Sequence, residues 1–325
     1  MQEQEGIAVG TIVAVEHREP CFLPAPVVRA GERTSARFVE FFTAHIRNPN
    51  TRRAYGRAVA RFFAWCDARS IDLDQVEPVT VAAYIEQHPG SKPTVKQHLA
   101  AIRMLFDWLV TGQVVPSNPA ASVRGPKYVV KKGRTPVLTA AEARHLLDSI
   151  DVTTLIGLRD RALIALMAFS FARVGAALRM RVEDYYTQAG YRWFRLHEKG
   201  GKLHYVPAHG KAARYVDAYL AAAGIADQKK EPLFRTVGRD RKLTERPMAP
   251  IDALKMIKRR ARTASLPETI GCHTFRATGI TAYLEAGGTI EGAQAIAAHE
   301  SPRTTKLYDR RGDMATLEEV ERIAI

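Results

Sequence analysis

The chain has 325 residues, 46% of them hydrophobic and 25% charged, and 48 Lys and Arg against 34 Asp and Glu leave a net charge of +14. That length allows two domains with separate cores, and that charge favours a polyanionic partner through phosphate neutralisation and counterion release. No run of about 18 apolar residues is present to span a membrane, and the acidic, polar start (Met1 to Glu5) predicts no secretory leader.

Residues 1–30 mix Val/Ile alternation from Ile7 to Val15 with Pro20, Pro24 and Pro26, a pattern that predicts an extended arm. From about 34 to 122 the pattern is helical. Tyr55, Val59, Phe62, Phe63 and Cys66 fall at i, i+4, i+7, i+8 and i+11, which is one face of a helix. Thr80 is expected to cap a short helix that runs to His88 before Pro89. Val95, Leu99, Ile102, Phe106 and Leu109 mark a third amphipathic helix. Arg52, Arg53 and Arg57 on the first of these helices, and Lys96 and Arg103 on the last, make this small all-α domain (31–123) basic, and they are candidate contacts to a nucleic acid. Residues 124–138 form a linker in which Lys127, Lys131 and Lys132 stand among five basic and no acidic residues from Arg124 to Arg134. Such a charge run suits a chain that wraps a duplex.

Thr139-Ala-Ala-Glu142 is a capping box that opens the second domain, 139–312. Residues 155–169 are apolar almost all round, which predicts a buried helix ending just before Arg173. Runs at 191–197 and 203–207 flank Lys199-Gly-Gly-Lys202 and predict a β-hairpin. Further helices are expected at 211–223, 249–264, 275–286, 290–298 and 302–309. Residues 313–325 read as a short amphipathic tail helix whose apolar face packs either on the chain's own core or on a neighbouring subunit. Two basic stretches, Lys255 to Arg262 (with Lys258 and Arg259) and Arg235 to Arg246, read as faces for backbone phosphates. The fold expected is therefore mainly α with a small β-sheet: a helical domain, then a mixed α/β domain.

The three cysteines, Cys21, Cys66 and Cys272, have neither a disulfide framework nor metal-ligand spacing, so reduced thiols in a cytoplasmic protein are expected and no metal site is assigned. Cys272 adjoins His273, but sequence neighbours seldom aim their side chains at one point. The chemistry lies elsewhere. His273-Thr-Phe-Arg276 precedes His299 by 23 residues, and Tyr308 follows nine residues later. With Arg173 and Lys199 upstream, these residues suit attack on a phosphodiester by a phenolic oxygen. The phenol is the nucleophile, the guanidinium forks hold phosphate oxygens and offset transition-state charge, and His or Lys moves protons. Tyr283, inside the helix after Arg276, reads as core rather than as a rival nucleophile.

Ala172-Arg173-Val174-Gly175, Glu198-Lys199-Gly200-Gly201-Lys202, His273-Thr-Phe-Arg276, Ala298-His299-Glu300-Ser301 and Leu307-Tyr308 together resemble the motifs of the tyrosine recombinase, or phage integrase, family, in its order and over the stretch from about 139 onward. The resemblance implies a SAM-like core-binding domain followed by the family's catalytic domain. It implies catalytic roles for Arg173, Lys199, His273, Arg276, His299 and Tyr308, with Lys202 touching the DNA backbone. It also implies site-specific recombination of double-stranded DNA through a 3′-phosphotyrosyl link, without ATP, metal or any other cofactor, by four protomers or related subunits, in a bacterial cytoplasm at the nucleoid. The family usually carries an acidic residue three positions after its first arginine. That position is Ala176 here, so either Glu183 or Asp184 supplies the carboxylate or activity is weaker. A topoisomerase IB-like relaxing enzyme and a catalytically inactive sequence-specific DNA-binding protein stay open as alternatives at this level. RNA binding is disfavoured, since no aromatic-rich strand of the kind that stacks bases is visible.

Overall fold

The computed structural model describes residues 23–130, 133–240, 242–309 and Glu321, with the Lys199 side chain left out. The sequence readings for residues 1–22, for Lys131 and Lys132 and for the tail helix therefore lie outside the described residues. Contacts divide the chain between Val129 and Val130 into two units, each described below by itself. Among the described residues no helix is long and apolar enough to cross a membrane.

The first unit holds α1 (Ala25–Arg29), α2 (Glu32–Glu40), a π-helical turn at Phe41–His45, α3 (Pro49–Asp67), α4 (Pro78–Glu86) and α5 (Lys92–Thr111). The start of α3 follows from its sequence. Asn48 Oδ1 accepts from the amides of Asn50 and Thr51 at 2.9 and 3.2 Å, and Pro49 fills the first helical position, where no amide is needed. The expected α3 stripe is buried, with Phe62 and Phe63 fully enclosed against Phe41 and Phe106. Each such side chain contributes roughly 1.5–3 kcal/mol of apolar burial. The start of α4 corrects the sequence reading. Pro78 takes the first helical position, so Thr80 lies inside the helix, and its hydroxyl reaches back to the Glu77 amide at 3.4 Å.

The second unit contains α6 (Ala140–Asp148), α7 (Leu155–Phe169), α8 (Val174–Leu178), β1 (Tyr185–Gln188), β2 (Tyr191–His197), β3 (Leu203–Pro207), α9 (Gly210–Ala223), β4 (Arg235–Val237), β5 (Leu243–Pro247), α10 (Pro250–Thr263), α11 (Cys272–Glu285), α12 (Ile290–Ala297) and α13 (Pro302–Lys306). The capping box forms as expected: Thr139 Oγ1 accepts from the Glu142 amide at 3.2 Å, and Glu142 accepts from the Thr139 amide at 2.7 Å. Strands β1, β2 and β3 make one antiparallel sheet, with Phe194 opposite Val206, while β4 and β5 pair separately. Phe194, Leu196 and Val206 point from the larger sheet into a core shared with α7 and α9.

Helix α7 is buried, as its composition predicts, yet it carries Arg159 and Asp160 inside the core. The pair is tolerated because it is fully bonded. Arg159 holds Asp160 at 2.7 Å and the Arg235 carbonyl at 2.9 Å, and Arg260 on α10 holds the same carboxylate at 2.7 Å.

Candidate active site

Three stretches remote in sequence meet at Tyr308. The first leaves α7 through Phe171, whose positive φ of 53° is unusual for a bulky residue. Its carbonyl accepts from Arg276 Nη1. Arg173 then sits just ahead of α8 as its N-cap. Its side chain is 43% exposed and meets the nearly buried Glu198 at 2.8 Å.

The second stretch is the start of α11. The helix begins at Cys272, three residues earlier than the sequence suggests, so His273 lies in its first turn and Arg276, three residues on, shares its face. Arg276 is 1% exposed. Nη1 donates to the Phe171 carbonyl and Nη2 to that of Ala297 at 2.6 Å, while Nε is buried without a hydrogen-bond partner. Burial is the largest cause of its lowered pKa, about 10, and Arg173 adds to it, whereas Tyr308 and Glu198 act the other way. A guanidinium at that value is still charged at neutral pH.

The third stretch runs from α12 to Tyr308. Ala298 closes α12 in the left-handed conformation (φ 48°, ψ 47°) and reverses the chain. His299 Nδ1 then pairs with the Thr305 hydroxyl at 2.9 Å, and its ring lies almost parallel to that of Tyr308, 10° apart in plane and 5.7 Å between centroids. Helix α13 stops at Lys306 rather than reaching 309, which leaves Tyr308 in the turn behind it. The Tyr308 carbonyl accepts from Thr281 Oγ1 at 3.0 Å, and that of Leu307 accepts from the Gly133 amide at 2.9 Å. The phenol, 8% exposed, packs with Phe171, Ile280 and Ala297, and its oxygen lies 2.7 Å from His273 Nε2. Tyr283 joins the same apolar cluster.

Both imidazoles resist protonation. Burial is the main cause for each, and Arg276 and Arg173 add their positive field. The His273 pKa is lowered from the ordinary value, and that of His299 falls to about 4. At neutral pH the charge on this cluster is therefore borne by the two arginines, with two neutral rings beside the phenol. Lys199 opens the hairpin turn, where Gly200 and Gly201 take φ of 77° and 80°.

Neither Glu183 nor Asp184 reaches Arg173, which corrects the sequence expectation. Asp184 is fully buried and held by Arg195 and by His197 Nε2 at 2.7 Å, and Glu183 faces Arg195 at 3.8 Å. The carboxylate on Arg173 comes from Glu198 instead. Its place inside the Lys199 motif was visible in the sequence, but nothing there assigned it a role. Thr305 and Thr281, which steady His299 and Tyr308, gave no sequence signal.

The candidate DNA contacts differ in what already holds them. Arg52 donates twice to the Ile46 carbonyl, at 3.2 and 2.8 Å, and Arg103 binds the carbonyls of Ala120 and Val123. Arg53, Arg57, Lys96, Lys127 and Lys202 are exposed. On α10, Lys258 bonds to the Glu268 carbonyl, and Arg259, 57% exposed, reaches Asp160 at 3.2 Å.

Comparison with known proteins agrees with this geometry. Residues 136–313 match the phage integrase family, and residues 37–113 match the phage integrase N-terminal SAM-like domain. Tyrosine recombinase XerC of Thermodesulfovibrio yellowstonii is 26% identical over 285 residues, covering 83% of this chain and 90% of that protein. Tyrosine recombinase XerD of Corynebacterium glutamicum is 27% identical over 275 residues, covering 80% and 86%. The crystal structure of XerH site-specific recombinase bound to its difH substrate superposes with a TM-score of 0.65 at 18% identity, covering 92% of this chain and 95% of that one. The chain thus has the two-domain fold of the tyrosine recombinases. It belongs to the phage integrase family and is a site-specific recombinase of the tyrosine type.

Proposed function

We propose that Tyr308 is the nucleophile that opens a phosphodiester of a duplex site, and that the enzyme stores the bond as a 3′-phosphotyrosyl link. The observation that carries this reading is the 2.7 Å contact between the phenolic oxygen and His273 Nε2, beside two guanidiniums. A free phenol has a pKa of about 10 and is a poor nucleophile at neutral pH. Neutral His273 takes its proton as the oxygen attacks phosphorus. Arg173 and Arg276 grip the non-bridging oxygens, and His299 donates to one of them. As the new P–O bond forms, the P–O5′ bond breaks, and Lys199 protonates the leaving 5′-oxygen. Attack by a 5′-hydroxyl of the partner duplex reverses the sequence, so bond energy is conserved and neither ATP nor metal takes part.

The Tyr308 backbone is tied to Thr281 and that of Leu307 to Gly133 of the same chain, which supports cleavage by each protomer's own tyrosine. The helical unit and the catalytic unit both bind the duplex. Arg53, Arg57, Lys96, Lys127, Lys131, Lys132 and Lys202 touch its phosphates, as Arg52, Arg103, Lys258 and Arg259 do where their internal bonds leave donors over. Four protomers, identical or with related subunits, act on two sites at the nucleoid in a bacterial cytoplasm.

The test uses a duplex selected from random DNA by binding, then nicked beside the cleavage position so that the adduct is trapped. The wild-type protein forms a covalent complex that survives denaturant, Tyr308→Phe forms none, and Arg173→Ala or Arg276→Ala slows its formation by about 10²–10³-fold. An adduct with Tyr308→Phe, or none with wild type, would refute the reading.

A further inference from the structure

We propose that Glu198 is the positioning residue for Arg173, so that the hairpin carrying Lys199, rather than helix α8, sets the orientation of this phosphate-gripping guanidinium. The inference rests on the reading of Arg173 as a phosphate ligand. Helix α8 has no carboxylate to offer: Gly175 has no side chain, and Ala176 and Ala177 are buried methyls. Glu183 and Asp184 are turned to Arg195 and His197.

Glu198 differs from a surface partner in two respects. Its side chain is 7% exposed while that of Arg173 is 43% exposed, so the carboxylate is the fixed half of the pair and the guanidinium the half that faces outward. Its backbone is fixed too. Glu198 N–H donates to the Lys202 carbonyl at 2.8 Å and closes the neck of the hairpin, one residue before Lys199. Among the described residues only Nη1 of Arg173 is taken, at 2.8 Å from Oε2, and a guanidinium has five donors in a planar fork. Anchoring one corner fixes the plane and leaves the other edge for an anion.

The electrostatics agree. Arg173 and Arg276 repel each other across a low-dielectric site, and Glu198 opposes the loss of charge on Arg276. The carboxylate therefore makes it less costly to hold two cations close together. It also links the two ends of the phosphodiester chemistry, because the arginine for the non-bridging oxygens and the lysine for the leaving oxygen hang from adjoining residues of one hairpin.

Glu198→Gln keeps the shape and removes the charge. With wild-type adduct formation established on the nicked duplex, the variant forms adduct about 10²-fold more slowly, as expected for a misplaced catalytic group. Its melting temperature falls by no more than about 4 °C, because water screens the part-exposed Arg173, and its duplex affinity stays within about threefold, since one phosphate contact among many is disturbed. Glu198→Asp, which keeps the charge on a shorter arm, recovers part of the rate. A second substrate carries a neutral methylphosphonate at the scissile position. It needs less cationic stabilisation, so the gap between wild type and Glu198→Gln closes to within about threefold on it. A Glu198→Gln enzyme as fast as wild type, or faster, on the ordinary duplex overturns the proposal while leaving the tyrosine chemistry standing. A slow variant whose defect persists on the methylphosphonate also overturns it, because Glu198 then acts on something other than phosphate charge. Absence of adduct with wild type would instead strike the underlying reading.

Discussion

Replacing Asp160 by Ala tests how the basic run of α10 is used. Asp160 is fully buried, and three guanidiniums converge on it: Arg159, with a side chain 6% exposed, Arg260 at 15% and Arg259 at 57%. Removing the carboxylate strands two nearly enclosed cations. Arg159 retains the Arg235 carbonyl at 2.9 Å, one neutral acceptor for a full charge. Breaking a buried pair from one side costs about 3–5 kcal/mol. For a unit of about 200 residues, where 1 kcal/mol moves the melting temperature by about 2–4 °C, that is a fall of roughly 10 °C. Arg259→Ala removes the exposed partner, worth about 0–1 kcal/mol, and should leave melting nearly unchanged. Arg260→Ala falls between the two. Thermal unfolding followed by circular dichroism, without DNA, orders the three variants. A melting temperature for Asp160→Ala within about 2 °C of wild type would refute the reasoning, because an unpaired buried guanidinium cannot be that cheap.

Ala298→Gly should stabilise the catalytic unit by about 0.5–1 kcal/mol, because an L-residue at φ 48° is strained and glycine is not; urea unfolding reads it, and a loss of stability refutes it. Arg103→Ala should destabilise the helical unit by about 1–3 kcal/mol by stripping the Ala120 and Val123 carbonyls, whereas Lys96→Ala should leave stability alone and reduce the salt dependence of duplex binding by about one counterion. In the same unit His98 is buried against Tyr84 and His88, and burial, then His88 and Arg61, lowers its pKa from 6.5 to about 4. Below pH 6.5 the unfolded chain therefore takes up the proton before the folded one does. Stability is flat above 6.5 and falls between 6.5 and about 4, by up to about 3 kcal/mol. Urea midpoints at pH 7.5 and 4.5 should show this fall, and His98→Gln should remove most of it.

What could be read in the sequence was local or periodic. The capping box at Thr139, the stripe of α3 and the β2–β3 hairpin each depend on residues within one element, and each formed as its pattern requires. The spacing from His273 to Tyr308 carried the reading because four chemically demanding residues seldom fall in that order by chance. What stayed hidden depended mostly on partners far along the chain. The basic run of α10 reads as a face for backbone phosphates, and nothing local shows that Arg260 within it is held by Asp160, 100 residues upstream on an otherwise apolar helix. Thr80 had the composition of a cap, and Pro78 decided the start of the helix instead. Strands β1 and β4 are too short for alternation to show, and β5, Leu-Thr-Glu-Arg-Pro, has no apolar alternation to read. Glu198 escaped because its partner is 25 residues away and the residue beside it drew the functional reading.

The charge pattern of the site sets an order of events. Without DNA, two guanidiniums and the surrounding protein hold His273 and His299 neutral, and a neutral imidazole facing two cations is a weak base. In the proposed mechanism, a phosphodiester docked against Arg173 and Arg276 brings a negative charge into the same low-dielectric space. That charge would cancel part of the field that opposed imidazolium formation, so the basicity of His273 would rise when its proton acceptance becomes useful. That mechanism thereby ties nucleophile activation to substrate binding through electrostatics, with no movement of Tyr308 required. The coupling needs the arginines to be charged but not neutralised beforehand, which limits how much carboxylate the site can contain. One anchored corner of Arg173 satisfies that limit, since a carboxylate on both edges of the fork would occupy the place of the phosphate.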